Sequence, residues 1–177
     1  ALYASSPDRG LLTLLRDCDE ILCAGDLMYQ YRFSNEVLAL LQPHRVHAIV
    51  GNHDKTILYA PGHPLRSSGT MDPVQVQYLA GLPGELTLEL GSIRVAMFHG
   101  SPWDEADTPI AHYIYPQDQR LLRRLGEVEA DVIVLGHTHI PFTTRVGTSL
   151  VVNPGSCGEC RDGTDTRTCS VLDTATL

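Results

Sequence analysis

Lysine is almost missing from this chain of 177 residues. Lys55 is the only one, and arginine supplies the rest of 13 basic side chains against 21 acidic ones. The net charge of −8 and isoelectric point near 5.4 leave no broad basic surface of the kind that holds a nucleic-acid backbone. A local positive site remains open if bound metal supplies the charge. No apolar run approaches the roughly 18 residues of a membrane-spanning helix. No basic-then-apolar signal stands at the start of the chain. Its five cysteines (Cys18, Cys23, Cys157, Cys160, Cys169) are an odd number in a chain too long to need disulfide staples, which points to a reducing compartment. The expectation is a cytoplasmic protein with no membrane partner. Internal repeats, low-complexity tracts and linkers are absent as well, so one domain is expected. Its 43% apolar content is enough for a sizeable core.

The chain alternates helix and strand patterns first, then turns to hairpins. Leu11, Leu12, Leu14 and Leu15 make a helical face after a small, polar start. Glu20 to Ala24 reads as a buried strand. Ser34 opens a helix with Val37, Leu38, Leu40 and Leu41 on one face, stopped by Pro43. Val46 to Val50 is the next strand. Lys55 to Asp72, with Pro61, Gly62, Pro64 and Gly69, reads mostly as loop. Asp72-Pro73 starts another helix. Glu85 to Leu90 and Ile93 to Phe98 flank Gly91-Ser92 as a hairpin. Ser101 to Pro116 is a long loop, Gln117 to Leu125 a helix and Val132 to Leu135 a buried strand. A second hairpin turns at Gly147-Thr148, and Thr168 to Leu172 reads as a last strand. This order predicts two sheets with helices outside, not one purely parallel sheet.

Polar clusters follow four of the apolar runs. They are Gly25-Asp26, Gly51-Asn52-His53-Asp54, His99-Gly100 and Gly136-His137-Thr138-His139. Ligand sites in open α/β sheets gather at the carboxyl ends of strands. Asp, Asn and His delivered there together suggest divalent metal of intermediate hardness, which accepts both carboxylate oxygen and imidazole nitrogen. The candidate metal ligands are Asp26, Asn52, His99, His137 and His139. Asp26 has two oxygens with which to bridge two ions. His53 projects into the same cleft, where it can pass a proton or hydrogen bond to a leaving oxygen, with Asp54 holding its ring.

Other residues divide between site and scaffold. Cys157-Gly158-Glu159-Cys160 has the spacing of a redox pair or half a zinc site, without a second matching pair. Trp103, Tyr113 and Tyr115 either line a pocket, stacking on a base or aryl group, or pack their loop onto the body. Tyr29, Tyr31 and Phe33 stand similarly. Arg120, Arg123 and Arg124 read as the solvated face of a helix. His44, His47, His63 and His112 belong to no motif.

In this order and spacing, the four clusters resemble the signature blocks of the calcineurin-like metallophosphoesterases. Asn153-Pro154-Gly155-Ser156, Arg161-Asp162-Gly163 and His99-Gly100-Ser101-Pro102 are similar to the small bacterial and archaeal phosphodiesterase branch. The resemblance runs from about Leu11 to Asp173. It implies an α/β, four-layer αββα sandwich of two mixed sheets flanked by helices. It also implies a two-metal hydrolase in which a hydroxide between the ions attacks phosphorus. Asp26 would bridge, Asn52, His99 and His137 would complete one shell, His139 would bind the second ion, and His53 would act on the leaving group. The family's first block, Asp-x-His after a first strand, has no counterpart in residues 1–177, and by spacing it is expected just upstream of Ala1.

The expected activity is hydrolysis of a small, nucleotide-type phosphodiester, with manganese the first choice of ion and iron, nickel or zinc open. The acidic surface favours such a substrate over a long nucleic acid. A non-catalytic interaction scaffold on the same fold and a protein or small-molecule phosphomonoesterase are the alternatives. Homo-oligomerisation is left open.

Overall fold

The computed structural model describes residues 17–28, 34–60, 62–105, 108–164 and 166–177. The helical pattern expected over Leu11 to Leu15, and Tyr29, Tyr31 and Phe33, lie outside these residues. Strand β1 (Leu22–Cys23) pairs in parallel with β2 (His47–Ala48). Between them lie helix α1 (Ser34–Leu41) and a single 3-10 turn (Gln42–His44) that carries Pro43. Helices α2 (Asn52–Tyr59), α3 (Pro64–Ser67) and α4 (Pro73–Ala80) follow. The hairpin β3 (Glu85–Leu90) and β4 (Ile93–Phe98), helix α5 (Gln119–Leu125), β5 (Val132–Val134), and the hairpin β6 (Phe142–Val146) and β7 (Ser149–Asn153) complete the order. The second sheet runs β3-β4-β5-β7-β6. Its central strands are parallel and its edges antiparallel.

Strand alternation builds the layers. Side chains on successive strand residues point to opposite faces. Ala96 and Phe98 of β4 and Ile133 of β5 pack with Leu122 and Leu125 of α5 on one face of the larger sheet. Val95 and Met97, with Val132 and Val134, face the other way and meet Leu22, Ala24 and Ile49 from the smaller sheet. Val37, Leu38 and Leu41 of α1, Ile57 of α2 and Leu79 of α4 cover the outer face of the smaller sheet. The result is the expected αββα sandwich. Both hairpins turn as expected, Leu90 pairing Ile93 across Gly91-Ser92 and Val146 pairing Ser149 across Gly147-Thr148. Gly91 and Gly147 take the positive φ (65° and 60°) that such turns require. A cavity of about 620 Å³ lies beside β1, lined by Leu22, Val95, Val132, Val134 and Val152 among others. No helix among the described residues is long and apolar enough to cross a membrane.

Two expectations fail. Lys55 to Asp72 is not mostly loop, because α2 runs on to Tyr59 and α3 adds a further turn. Gly51 caps α2, Asp54 takes the Gly51 N–H at 2.8 Å, and Ile57 is fully buried. Helix capping and an apolar anchor outweigh the Gly/Pro punctuation further on. Thr168 to Leu172 forms no strand. Thr168 donates its N–H to the Ser156 carbonyl and accepts the Ser156 N–H on its hydroxyl. The segment is thereby tied to a turn, not to a ladder.

Candidate metal centre

Parallel pairing within each sheet brings the four clusters to one edge. Asp26 lies past the end of β1 and Asn52 past the end of β2; His99 follows β4, and His137 and His139 follow β5. The approach is close enough to require glycine. A Cβ on Gly25 would stand 2.6 Å from the Gly51 nitrogen, and one on Gly51 would overlap the Asp26 carboxylate. Asp26, His137 and His139 have positive φ (55°, 64° and 57°). A non-glycine residue in that region costs on the order of 1–3 kcal/mol. Three such residues converging at one edge mark a place where stability is given up for position.

The hydrogen bonds at the cluster's back fix what faces its centre. His99 Nδ1 lies 2.7 Å from the Ala24 carbonyl and donates to it, so in a neutral ring Nε2 is a bare lone pair. That Nε2 is 3.0 Å from Asn52 Oδ1 and 3.3 Å from Asp26 Oδ1. His139 Nδ1 likewise donates to the Glu159 carbonyl at 2.8 Å, aiming Nε2 at Asp26 Oδ2 from 3.4 Å. His137 brings Nδ1 to 2.9 Å from Asn52 Oδ1, and its buried Nε2 has no hydrogen-bond partner. Lone pairs therefore point at lone pairs, which is favourable only with a proton or a cation between them. Ligand atoms about 2.1 Å from one ion stand about 3.0–3.4 Å apart, the edges of an octahedron or tetrahedron. The observed spacings match those edges. Asp26, His99 and His137 each offer a ligand atom within 4.8 Å of the others. The donor set fits a divalent ion.

The electrostatics agree. Burial pushes the Asp26 carboxyl up, yet the imidazoles of His99 and His139 overcome this and hold it well below the usual carboxylate range. Burial pushes His99 down, and Asp26 more than reverses it. His137, lowered by burial and by His99, falls to about 4 and would offer a metal a neutral imidazole. Backing of a ligating imidazole by a carbonyl, as His99 and His139 have, fixes the ring and its tautomer.

Asp54 does not take the expected catalytic position. It is fully buried, and its carboxylate accepts from the backbone N–H of Leu27 (3.1 Å), Met28 (3.2 Å) and Gly51 (2.8 Å). It braces the loop that carries Asp26 against the one that carries Asn52 and so positions the ligands. Burial and the nearby Asp26 push its carboxyl up to about 7. His53 is half-buried, its backbone N–H donating to Asp26 Oδ1 at 3.1 Å. Burial lowers its imidazole against the pull of Asp26; His139, Glu159 and Arg161 are the other groups that act on it.

Several residues that hold the site carry little signal in sequence. Asn153, buried, donates to the Gly136 carbonyl (2.7 Å) and the Thr138 hydroxyl (3.1 Å) and accepts from Gly155 N–H (3.0 Å). It clamps the loop that carries His137 and His139. Ser156 accepts the N–H groups of Gly158 and Glu159 on its hydroxyl, which aims the Glu159 carbonyl at His139. The Asn-Pro-Gly-Ser turn is the signal for both. Cys157 and Cys160 form no disulfide; their thiols donate to the carbonyls of Thr168 and Thr166. Trp103 packs its loop onto α5, with the Arg124 guanidinium 4.0 Å over its ring, so Arg124 is not simply a solvated residue. Tyr113 instead lies against His137, ring centroids 4.0 Å apart. His112 pairs with Asp104, His47 with Glu20, and His63 caps α3, none of them at the cluster.

Comparison with known proteins agrees with this geometry. The family model of the calcineurin-like phosphoesterase superfamily domain matches residues 4–177. A probable metallophosphoesterase of Methanothermobacter thermautotrophicus is 29% identical over 155 residues, 86% of this chain and 69% of the relative. The crystal structure of a metallophosphoesterase from Sphaerobacter thermophilus superposes with a TM-score of 0.67 at 23% identity, covering 87% of this chain and 72% of that one. Wild-type Vps29 of Entamoeba histolytica, in its complex with Zn²⁺, has a TM-score of 0.56 at 20% identity, over 95% and 76% of the two chains. The last two likenesses concern the fold. With the family model matched along nearly its whole length, the chain belongs to the calcineurin-like phosphoesterase superfamily of metal-dependent phosphoric ester hydrolases.

Proposed function

We propose that the protein is a phosphodiesterase acting on small, nucleotide-type diesters through two divalent ions, manganese first among them. The observation that carries this is the convergence of lone pairs on both oxygens of Asp26. Asn52, His99 and His137 would hold one ion together with Asp26, and His139 would hold the other together with Asp26. Bound divalent metal supplies Lewis-acid stabilisation of charge on phosphoryl oxygens and makes water more acidic. The chain's own part is orientation and proton transfer. The Ala24 and Glu159 carbonyls keep two imidazoles in the ligating tautomer. His53, exposed on one side, meets the leaving oxygen.

This reading takes residues 1–177 as one domain. A non-catalytic scaffold on the same fold leaves lone-pair convergence without a use. Hydrolysis of bis(p-nitrophenyl) phosphate with and without manganese, beside a His53→Ala variant, tests the proposal. Turnover that needs metal and falls at least tenfold in the variant is expected; metal-independent turnover, or an unaffected variant, would contradict it.

A further inference from the structure

We infer that Tyr113 is the specificity residue of the site, a stacking surface for an aromatic group on the phosphodiester. The inference rests on the phosphodiesterase reading and extends it to one subsite. Tyr113 is 48% exposed, yet its ring lies 4.0 Å from that of His137 with 34° between the planes. Tyr115 stacks beside it at 6.1 Å, the planes nearly parallel at 9°. Ile114 between them is buried in the core under the larger sheet. The alternation turns both tyrosines to one side and pins them from the other.

This arrangement is held before any ligand arrives. Asp104 accepts the N–H (2.6 Å) and the hydroxyl (2.9 Å) of Ser101, two residues after His99, and the N–H of His112 (2.9 Å), one residue before Tyr113. A single carboxylate thus ties the start of the loop to its end and sets the Tyr113 ring relative to the metal ligands. Trp103, spent on Arg124 and α5, is the contrast within the same loop. Ile110, 77% exposed, extends the apolar surface of this loop. An aromatic ring left half in water costs solvation that it recovers when a flat π-system covers it.

Tyr113 stands against His137, and His53 gives its backbone N–H to Asp26. Under the proposal, His53 takes the leaving oxygen and Tyr113 the ester group that stays on phosphorus. The substrate class is therefore a diester whose retained group is aryl or nucleoside.

Two substrates with one leaving group separate the ends: bis(p-nitrophenyl) phosphate and methyl p-nitrophenyl phosphate. Tyr113→Ala is expected to raise KM for the diaryl ester by on the order of tenfold, the value of one aromatic stack. The methyl ester should stay within about twofold, and Tyr113→Phe should behave as wild type. Calorimetric titration of phenyl phosphate against methyl phosphate gives the same comparison without turnover. Equal changes for both esters, or none, overturn the Tyr113 subsite while leaving the phosphodiesterase reading in place. Failure of the wild-type protein to hydrolyse either ester overturns both.

Discussion

The two sides of Asp26 are built differently. On the Oδ1 side, Asn52 Oδ1 lies within hydrogen-bonding distance of both His99 and His137, and His99 approaches Asp26 Oδ1, so three separate segments meet there. On the Oδ2 side, the described residues provide His139. Support differs as well. His99 is fixed by the carbonyl of Ala24, part of the sheet edge itself. His139 depends on the Glu159 carbonyl, held out by the Ser156 hydroxyl in a turn. The Oδ1 side is thus built by the core and the Oδ2 side by a loop, and under the two-ion proposal the core-built side is expected to fill first.

The comparison can be broken at several points. Asp26→Asn removes the charge common to both halves; it is expected to abolish measurable hydrolysis and to lower metal content on both sides, read by elemental analysis of the purified protein. His137→Ala and His139→Ala should then differ. The first should lose the tighter ion, and the second should keep it while losing activity by two orders of magnitude or more. Equal metal loss in both variants would erase the distinction.

Asn153→Ala reaches both halves, because Asn153 holds the loop between the two histidines. Loss of such an outer partner lowers metal affinity by roughly 10–100-fold. The Gly155 N–H, left without the Asn153 amide oxygen, costs about 1–3 kcal/mol of stability, visible in urea unfolding. Ser156→Ala should weaken only the His139 side. The smallest effect concerns the Tyr113 loop. Burial raises the Asp104 carboxyl, but hydrogen bonds from His112 and Ser101 overcome this and leave it below the ordinary value. Its folded pKa lies below its unfolded one, so the clamp is at full strength above about pH 4 and is lost as pH falls through the folded value. Asp104→Asn should remove that acid-limb change in stability and leave the neutral-pH fold standing.

Much of this was legible in the chain because the donors sit at strand ends, where an Asp, Asn or His has no packing reason to follow a buried run. Gly25-Asp26, Gly51-Asn52, His99 and His137-Thr138-His139 are readable for that reason, and so are the hairpins, whose glycines must adopt positive φ. Asp54 was misread because its sequence neighbour is His53, while its partners are backbone N–H groups of Leu27 and Met28, more than twenty residues away. The Glu159 carbonyl could not be read at all, since any residue supplies one. The length of α2 was hidden because Gly and Pro further on signal loop, whereas burial of Ile57 decides the helix.

Calorimetric titration of the metal-free protein with manganese tests the central claim most directly. The account predicts two unequal steps, with His137→Ala removing the tighter and His139→Ala the weaker. Two identical sites, or a tight site that survives His137→Ala, would contradict it.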